Sequence, residues 1–256
     1  MNGKLKGIIF DWAGTTVDYG CFAPVQAFVE VFRHYGMEPT MDEVREPMGM
    51  LKIDHIKTML AMPRIRQEWI LKYGTGPDDE SAQAMYGLFE EKLFGILKDF
   101  AEPKPGVCQL VSELRSHGIA VGSTTGYTDE MMNIVAPIAE RKGYRPDVWF
   151  TPDSTGQKGR PYPYMIFRNM EALLLTDVRN VAKVGDTVSD IREGKNAGVW
   201  TIGVISGSSE MGLTRQEYET MDGKERRIRE EKIRERFLAA GADQVILNLE
   251  EILELI

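Results

Sequence analysis

GIIFDWAGTTVDYG, residues 7–20, joins a short apolar run to an acid and then to a turn. Gly7, Ile8, Ile9 and Phe10 follow one another without polar alternation, the pattern of a parallel strand buried on both faces. Asp11 ends the run, and Gly14 with the Thr15–Thr16 pair breaks the pattern after it. An acid at the carboxyl end of such a strand lies where open α/β sheets bind their ligands. Taken alone, Asp11 is equally suited to capping the turn that follows.

Downstream, the apolar spacing stays helical for a long way. Val25, Phe28, Val29 and Phe32 mark a helix over residues 23–35, closed by Gly36. A second helical stretch covers residues 41–62, with a break at Pro47-Met48-Gly49, and Pro63 stops it. A third spans residues 67–72, and residues 81–97 are helical again, with Met85, Phe89 and Leu93 on the apolar face. About eighty largely helical residues therefore precede the next strand, whereas a βαβ crossover needs roughly a dozen residues and one helix. The excess predicts an inserted helical domain over residues 22–100, with residues 1–21 and 101–256 forming the core.

From Gly106 onward helices and strands alternate. Strands are expected at residues 119–122, 148–151, 181–185 and 201–205, with an edge strand at 244–247. Helices are expected between them, one capped by Thr128 with a kink at Pro137 and one opened by Pro161. Thr214 and Glu217 form a capping box for a long charged helix through residue 240. Its GKERRIREEKIRERF run reads as a solvated face of opposite charges. The alternation predicts an α/β fold: a Rossmann-like doubly wound parallel sheet carrying an inserted α-helical cap domain.

A chain of 256 residues can bury a sizeable core. Its net charge of -8 offers no basic footprint for nucleic acid. Cys21 and Cys108 form no disulfide framework, which suits a reducing cytosol. The opening MNGKLKGIIFDW reaches an acid too early for a signal peptide, and no apolar run approaches a membrane span. The expectation is a cytoplasmic protein with neither nucleic acid nor membrane as partner.

Polar residues of complementary kinds follow four strand ends: Asp11, Thr125, Arg160 after the third strand's loop, and Asp186 with Asp190 in GDTVSD. All belong at the carboxyl edge of one sheet. Carboxylates gathered in one cleft call for a hard cation with oxygen ligands, for which Mg²⁺ is the natural choice. A hydroxyl with a guanidinium suits a phosphoryl group. Lys158 competes with Arg160 for that place, but Arg160 directly precedes Pro161-Tyr162-Pro163. Gly126 leaves backbone N–H groups free for phosphate oxygens.

With these motifs in this order the sequence resembles the haloacid dehalogenase superfamily. The resemblance implies that Asp11 is the nucleophile, Thr125 and Arg160 hold phosphate, Asp186 and Asp190 are the metal-site acids, and the helical insertion is the cap. Family phosphatases carry a second aspartate two residues after the nucleophile; here that position is Ala13. Alanine has no proton to give to an alkoxide leaving group, and only its carbonyl could serve, as a metal ligand.

Lys52 lies in the cap segment PMGMLKIDH, where helical spacing brings Met48, Lys52, His55 and Met59 within about 60° of one another. A lysine on a methionine-rich face has its charged form disfavoured, and a neutral amine can attack an aldehyde. A snorkelling lysine has the same spacing. His55 reads as a structural histidine or as a proton shuttle. Cys21 and Tyr127 read as pocket lining or core packing, and Met48 could close over a substrate.

Together DWAGTTVDYG, PMGMLKIDH, GSTTGY, GRPYP and VGDTVSD resemble the phosphonatase family of that superfamily. The resemblance implies cleavage of the carbon–phosphorus bond of phosphonoacetaldehyde to acetaldehyde and phosphate, within 2-aminoethylphosphonate degradation. It implies a Schiff base on Lys52 and an aspartyl phosphate on Asp11. Asp11, Ala13 through its carbonyl, and Asp186 would hold Mg²⁺, with Asp190 orienting a neighbour. It also implies a homodimer paired through the cap, with hinges near residues 17–21 and 100–105. The alternative is a Mg²⁺-dependent phosphatase or phosphomutase of the same superfamily, in which Lys52 would have no role.

Overall fold

The structure, a computed structural model, describes residues 5–256; the first four residues of the opening segment lie outside them. Strand β1 (Gly7–Phe10) is followed by the five helices of the insertion: α1 (Phe22–His34), α2 (Met41–Arg45), α3 (Lys52–Ala61), α4 (Pro63–Tyr73) and α5 (Asp79–Ile96). Then come α6 (Val107–Ser116), β2 (Ala120–Thr124), α7 (Asp129–Arg141), β3 (Val148–Phe150), α8 (Tyr164–Ala172), β4 (Val181–Gly185), α9 (Val188–Ala197), β5 (Trp200–Val204), α10 (Arg215–Thr220), α11 (Gly223–Ala239) and β6 (Gln244–Ile246).

The six strands form one sheet in the order β3-β2-β1-β4-β5-β6, and every pairing is parallel. Ile8 pairs with Val121 on one side and Ala182 on the other, so β1 is central. All four β1 residues are buried, because helices cover both faces of the sheet. From β1 the chain winds outward in both directions. The carboxyl end of β1 is therefore the switch point, where the loops after β1 and β4 diverge and leave a crevice.

The helical insertion between β1 and α6 has its own apolar contacts. Phe28 of α1 stacks on Phe89 of α5 with ring centroids 4.3 Å apart. Asp18 starts α1: its two carboxylate oxygens accept the N–H groups of Phe22 and Ala23, both at 3.0 Å. Burial pushes the Asp18 carboxyl up to about 6, against these bonds and the nearby Arg45.

Four local expectations change. Pro63 begins α4 at its first turn, where a missing N–H does no harm, and the helix extends well upstream of residue 67. Pro161 does not open a helix; α8 starts at Tyr164, leaving residues 156–163 as a loop that carries Arg160 inward. The Thr214–Glu217 capping box exists, but it opens only the short α10. The charged helix α11 has a separate cap, Asp222, which accepts from the N–H groups of Lys224 and Glu225. Strand β2 runs on to Thr124.

Candidate active site

Asp11 leaves β1 with its N–H still donating to the Val184 carbonyl at 2.9 Å, which fixes its side chain at the sheet edge. Its carboxylate is buried. One oxygen accepts Arg160 Nη2 at 2.5 Å and the other accepts the Thr15 hydroxyl at 3.2 Å. The same hydroxyl lies 3.0 Å from Asp186 Oδ1. A hydroxyl has one proton, so it cannot serve both carboxylates at once.

Asp186 directly follows β4 and accepts the Ser209 N–H at 2.6 Å. Among the described residues it makes no ion pair. Burial, then Asp11 and Asp190, push its pKa well above the usual carboxylate range. Oxygens of Asp11, Asp186 and Asp190 lie within 4.8 Å of one another. Asp186, a buried acid with no cationic partner among the described residues, fits a divalent metal, and the three acids together could hold one through hard oxygen ligands.

Asp190 is already engaged. Its Oδ1 is 3.0 Å from Lys183 Nζ and 3.1 Å from Arg160 Nη1, and its Oδ2 accepts the Thr187 hydroxyl at 2.6 Å. Glu193, one turn further along α9, accepts Arg160 Nε and the Thr124 hydroxyl, each at 3.1 Å, and lies 3.3 Å from Lys183. Arg160 is thus held on three sides by carboxylates. Burial alone would lower its pKa, but Asp11, Asp190 and Glu193 outweigh it and keep the guanidinium charged.

Lys52, at the first turn of α3, faces this cluster from the insertion. It is 5% exposed, and its Nζ lies 5.5 Å from the Tyr127 ring centroid. Burial, more than any neighbouring charge, lowers its pKa. Cys21 and Met48 stand beside it, and Ala13, Thr125 and Gly126 complete the wall opposite. The Thr125 hydroxyl accepts the Tyr127 N–H at 3.1 Å, which turns the loop after β2 across the cleft. Burial also pushes the Cys21 thiol up, so it is neutral beside Lys52. The cleft encloses about 20 Å³, so insertion and sheet edge are closed on one another.

Two predicted residues do not line the cleft. Asp190 lies beneath it as a partner of Lys183 and Arg160. His55 is fully buried, stacked on Phe28 at 3.8 Å, with Nε2 2.9 Å from the Val44 carbonyl and Nδ1 without a partner. Burial, with Lys52 nearby, pushes its pKa well below the usual histidine value, so it is neutral.

Lys183, Glu193, Thr15 and Lys104 escaped the sequence reading. Lys104 Nζ donates to the Gly14 and Ser206 carbonyls, both at 2.7 Å, bracing the loop after β1. Burial pushes its pKa down to about 8. Removing one member of the buried Lys183 cluster leaves uncompensated charge. Lys183→Ala should therefore destabilise the fold by about 3–5 kcal/mol, measured by denaturant unfolding.

A parallel sheet with a buried acid at its switch point, a second acid after β4 and a helical insertion after β1 defines a hydrolase of the haloacid dehalogenase superfamily. The profile of the haloacid dehalogenase-like hydrolases matches residues 5–198. The chain is 51% identical to the phosphonoacetaldehyde hydrolase of Bacillus cytotoxicus, over 99% of this chain and 96% of that one. It is 49% identical to the bifunctional phosphonoacetaldehyde hydrolase/aminoethylphosphonate transaminase of Clostridioides difficile, over 97% of this chain and 39% of that one. The crystal structure of a phosphonoacetaldehyde hydrolase-like protein from Oleispira antarctica superposes with a TM-score of 0.95 at 34% identity, covering 99% of this chain and 91% of that chain. The chain belongs to the phosphonoacetaldehyde hydrolase family.

Proposed function

We propose that this chain hydrolyses phosphonoacetaldehyde to acetaldehyde and phosphate. One observation carries the reading beyond the family names: a buried amine, Lys52, shares a closed cleft with Asp11 while the position of the usual general acid is Ala13. An ordinary phosphate ester would find no acid there for its leaving group. An aldehyde would find an amine.

The neutral Lys52 amine adds to the aldehyde carbon, and loss of water gives a protonated imine. Asp11 then attacks phosphorus. The electrons of the breaking carbon–phosphorus bond flow into the imine and form an enamine, so no alkoxide needs a proton. Water hydrolyses the aspartyl phosphate to phosphate and free Asp11. Protonation of the enamine carbon and hydrolysis of the resulting imine release acetaldehyde and restore Lys52. Arg160, Thr125 and the Gly126 N–H hold the phosphoryl oxygens. His55, buried outside the cleft against Phe28 and neutral, packs α3 and moves no proton in this scheme. The closed cleft protects the imine from bulk water.

Asp11, Asp186 and the Ala13 carbonyl would hold Mg²⁺, which lowers the repulsion between an anionic phosphonate and an attacking carboxylate. EDTA should abolish turnover and Mg²⁺ should restore it. Asp186→Asn should also lose Mg²⁺ binding in titration calorimetry, a readout independent of activity.

The residues between β1 and α6 are read as a mobile cap on the core formed by the rest of the chain. A homodimer through this cap is supported by the exposed Ile70, Leu71 and Tyr73 of α4. The transaminase fused to the Clostridioides difficile relative supports 2-aminoethylphosphonate as the upstream source. No helix of the described residues is long and apolar enough to cross a membrane. A cytoplasmic location is part of the proposal. The experiment that tests the whole reading is borohydride trapping of the imine on Lys52, with turnover of generic phosphate esters as the contrary outcome.

A further inference from the structure

Arg45 takes no part in the chemistry above, yet it ties the insertion to the core. It ends α2, and its Nη1 donates to the Gly20 carbonyl at 3.0 Å and the Ser209 carbonyl at 2.8 Å. Gly20 belongs to the segment that leads into α1, and Ser209 to the loop after β5. Ser209 uses its own N–H on Asp186, at 2.6 Å. One residue therefore carries the insertion's cation on its carbonyl and supports a metal-site carboxylate with its amide. The Arg45 guanidinium lies over the Phe22 ring, its carbon 5.2 Å from the ring centroid. The backbone is shaped for this passage. Gly212 has a φ of 63°, and a Cβ there would meet Arg45 Nε at 2.7 Å. Helix α2 does not need the bonds, since its own cap is the Thr40–Glu43 box at the other end.

We infer that Arg45 is the latch of the insertion, a positioning residue that holds Lys52 over Asp11. Its bond to Ser209 forms only when α2 is docked against the loop after β5. Arg45 and Lys52 lie on one short segment, α2 to the start of α3, so latch and amine move together. The inference rests on the closed-cap reading under the proposed function, but its deciding readout, lysine labelling, needs no substrate.

The free enzyme is treated with limiting formaldehyde and cyanoborohydride, and lysine labelling is read by peptide mass mapping. Lys52 reports opening of the cleft. Lys183, fully buried inside the core, reports loosening of the whole fold. Arg45→Met keeps an unbranched side chain and removes the two bonds together with the guanidinium over Phe22. Lys52 labelling should rise about tenfold, the scale of a lost charge-assisted bond, with Lys183 unchanged. Arg45→Lys, which can reach one carbonyl, should fall between, and kcat/KM should drop in parallel. An equal rise at Lys52 and Lys183 would overturn the latch, since the fold itself would have loosened. Unchanged Lys52 labelling in the folded variant would overturn it as well. Loss of the phosphonatase reading alone would look different: no turnover of phosphonoacetaldehyde by the unmodified chain, with Lys52 labelling still governed by Arg45.

Discussion

Lys52→Arg should lower turnover of phosphonoacetaldehyde by about 10⁴-fold or more, the scale on which removing a covalent catalytic group acts. Arginine keeps the charge and most of the volume, but its guanidinium does not deprotonate in proteins and cannot form the imine. The variant should fold, because Lys52 makes no ion pair among the described residues and its Nζ faces the Tyr127 and Phe28 rings, on which a guanidinium can also stack. Borohydride with substrate should attach an adduct to Lys52 of the unmodified chain and to no peptide of the variant. The pH dependence has a definite sign. Burial lowers the pKa of the ammonium, so the neutral amine is populated at lower pH than for a surface lysine. The rate of imine formation should rise with pH and level off below the ordinary lysine range. A rate still climbing through that range, or an arginine variant that turns over normally, would remove Lys52 from the mechanism.

The sheet was readable because each strand end announces itself. An apolar run stops at a polar residue after β1, β2 and β4, and the order of those stops fixes which residues share the crevice. Asp11, Thr125 and Asp186 were legible for that reason. The layer beneath them was not. Lys183 sits in the middle of an apolar strand, where a charged residue looks like a flaw in the pattern. Its partners Thr124 and Glu193 lie on other elements, so only the fold brings them within 2.7 and 3.3 Å. Glu193 did carry one signal, its spacing of one helical turn from Asp190. Thr15 sits in the motif itself, but a threonine after glycine reads as turn chemistry, and its place between two carboxylates exists only in three dimensions. The prolines misled in a related way. Pro161 has the residue type of a helix start, but the chain needs an irregular segment there to turn Arg160 inward. Arg45 was silent because its partners are backbone carbonyls, which every sequence supplies.

Asp11→Asn should separate the two halves of the reaction. The amide has no carboxylate to attack phosphorus, so phosphate release should fall by about 10⁵-fold or more. Lys52 is untouched, however, and the aldehyde should still condense with it. Borohydride would then reduce different species in the two proteins. In the unmodified chain the bond has been cleaved before reduction, and Lys52 should carry an ethyl group. In Asp11→Asn the bond is intact, and Lys52 should carry a phosphonoethyl group, heavier by the phosphonate. The substitution also removes the charge facing Arg160 Nη2, which keeps Asp190 and Glu193 as its other partners. Arg160 should therefore stay in place, and stability should change far less than activity. A phosphonoethyl adduct on Lys52 of the variant would assign imine formation to the insertion and phosphorus transfer to the sheet edge, in that order. An ethyl adduct would mean that the bond breaks without Asp11, and the nucleophile would have to be sought elsewhere in the cleft. No adduct at all would mean that the carboxylate is needed already for condensation, for instance to hold the metal that anchors the phosphonate while Lys52 adds to the aldehyde.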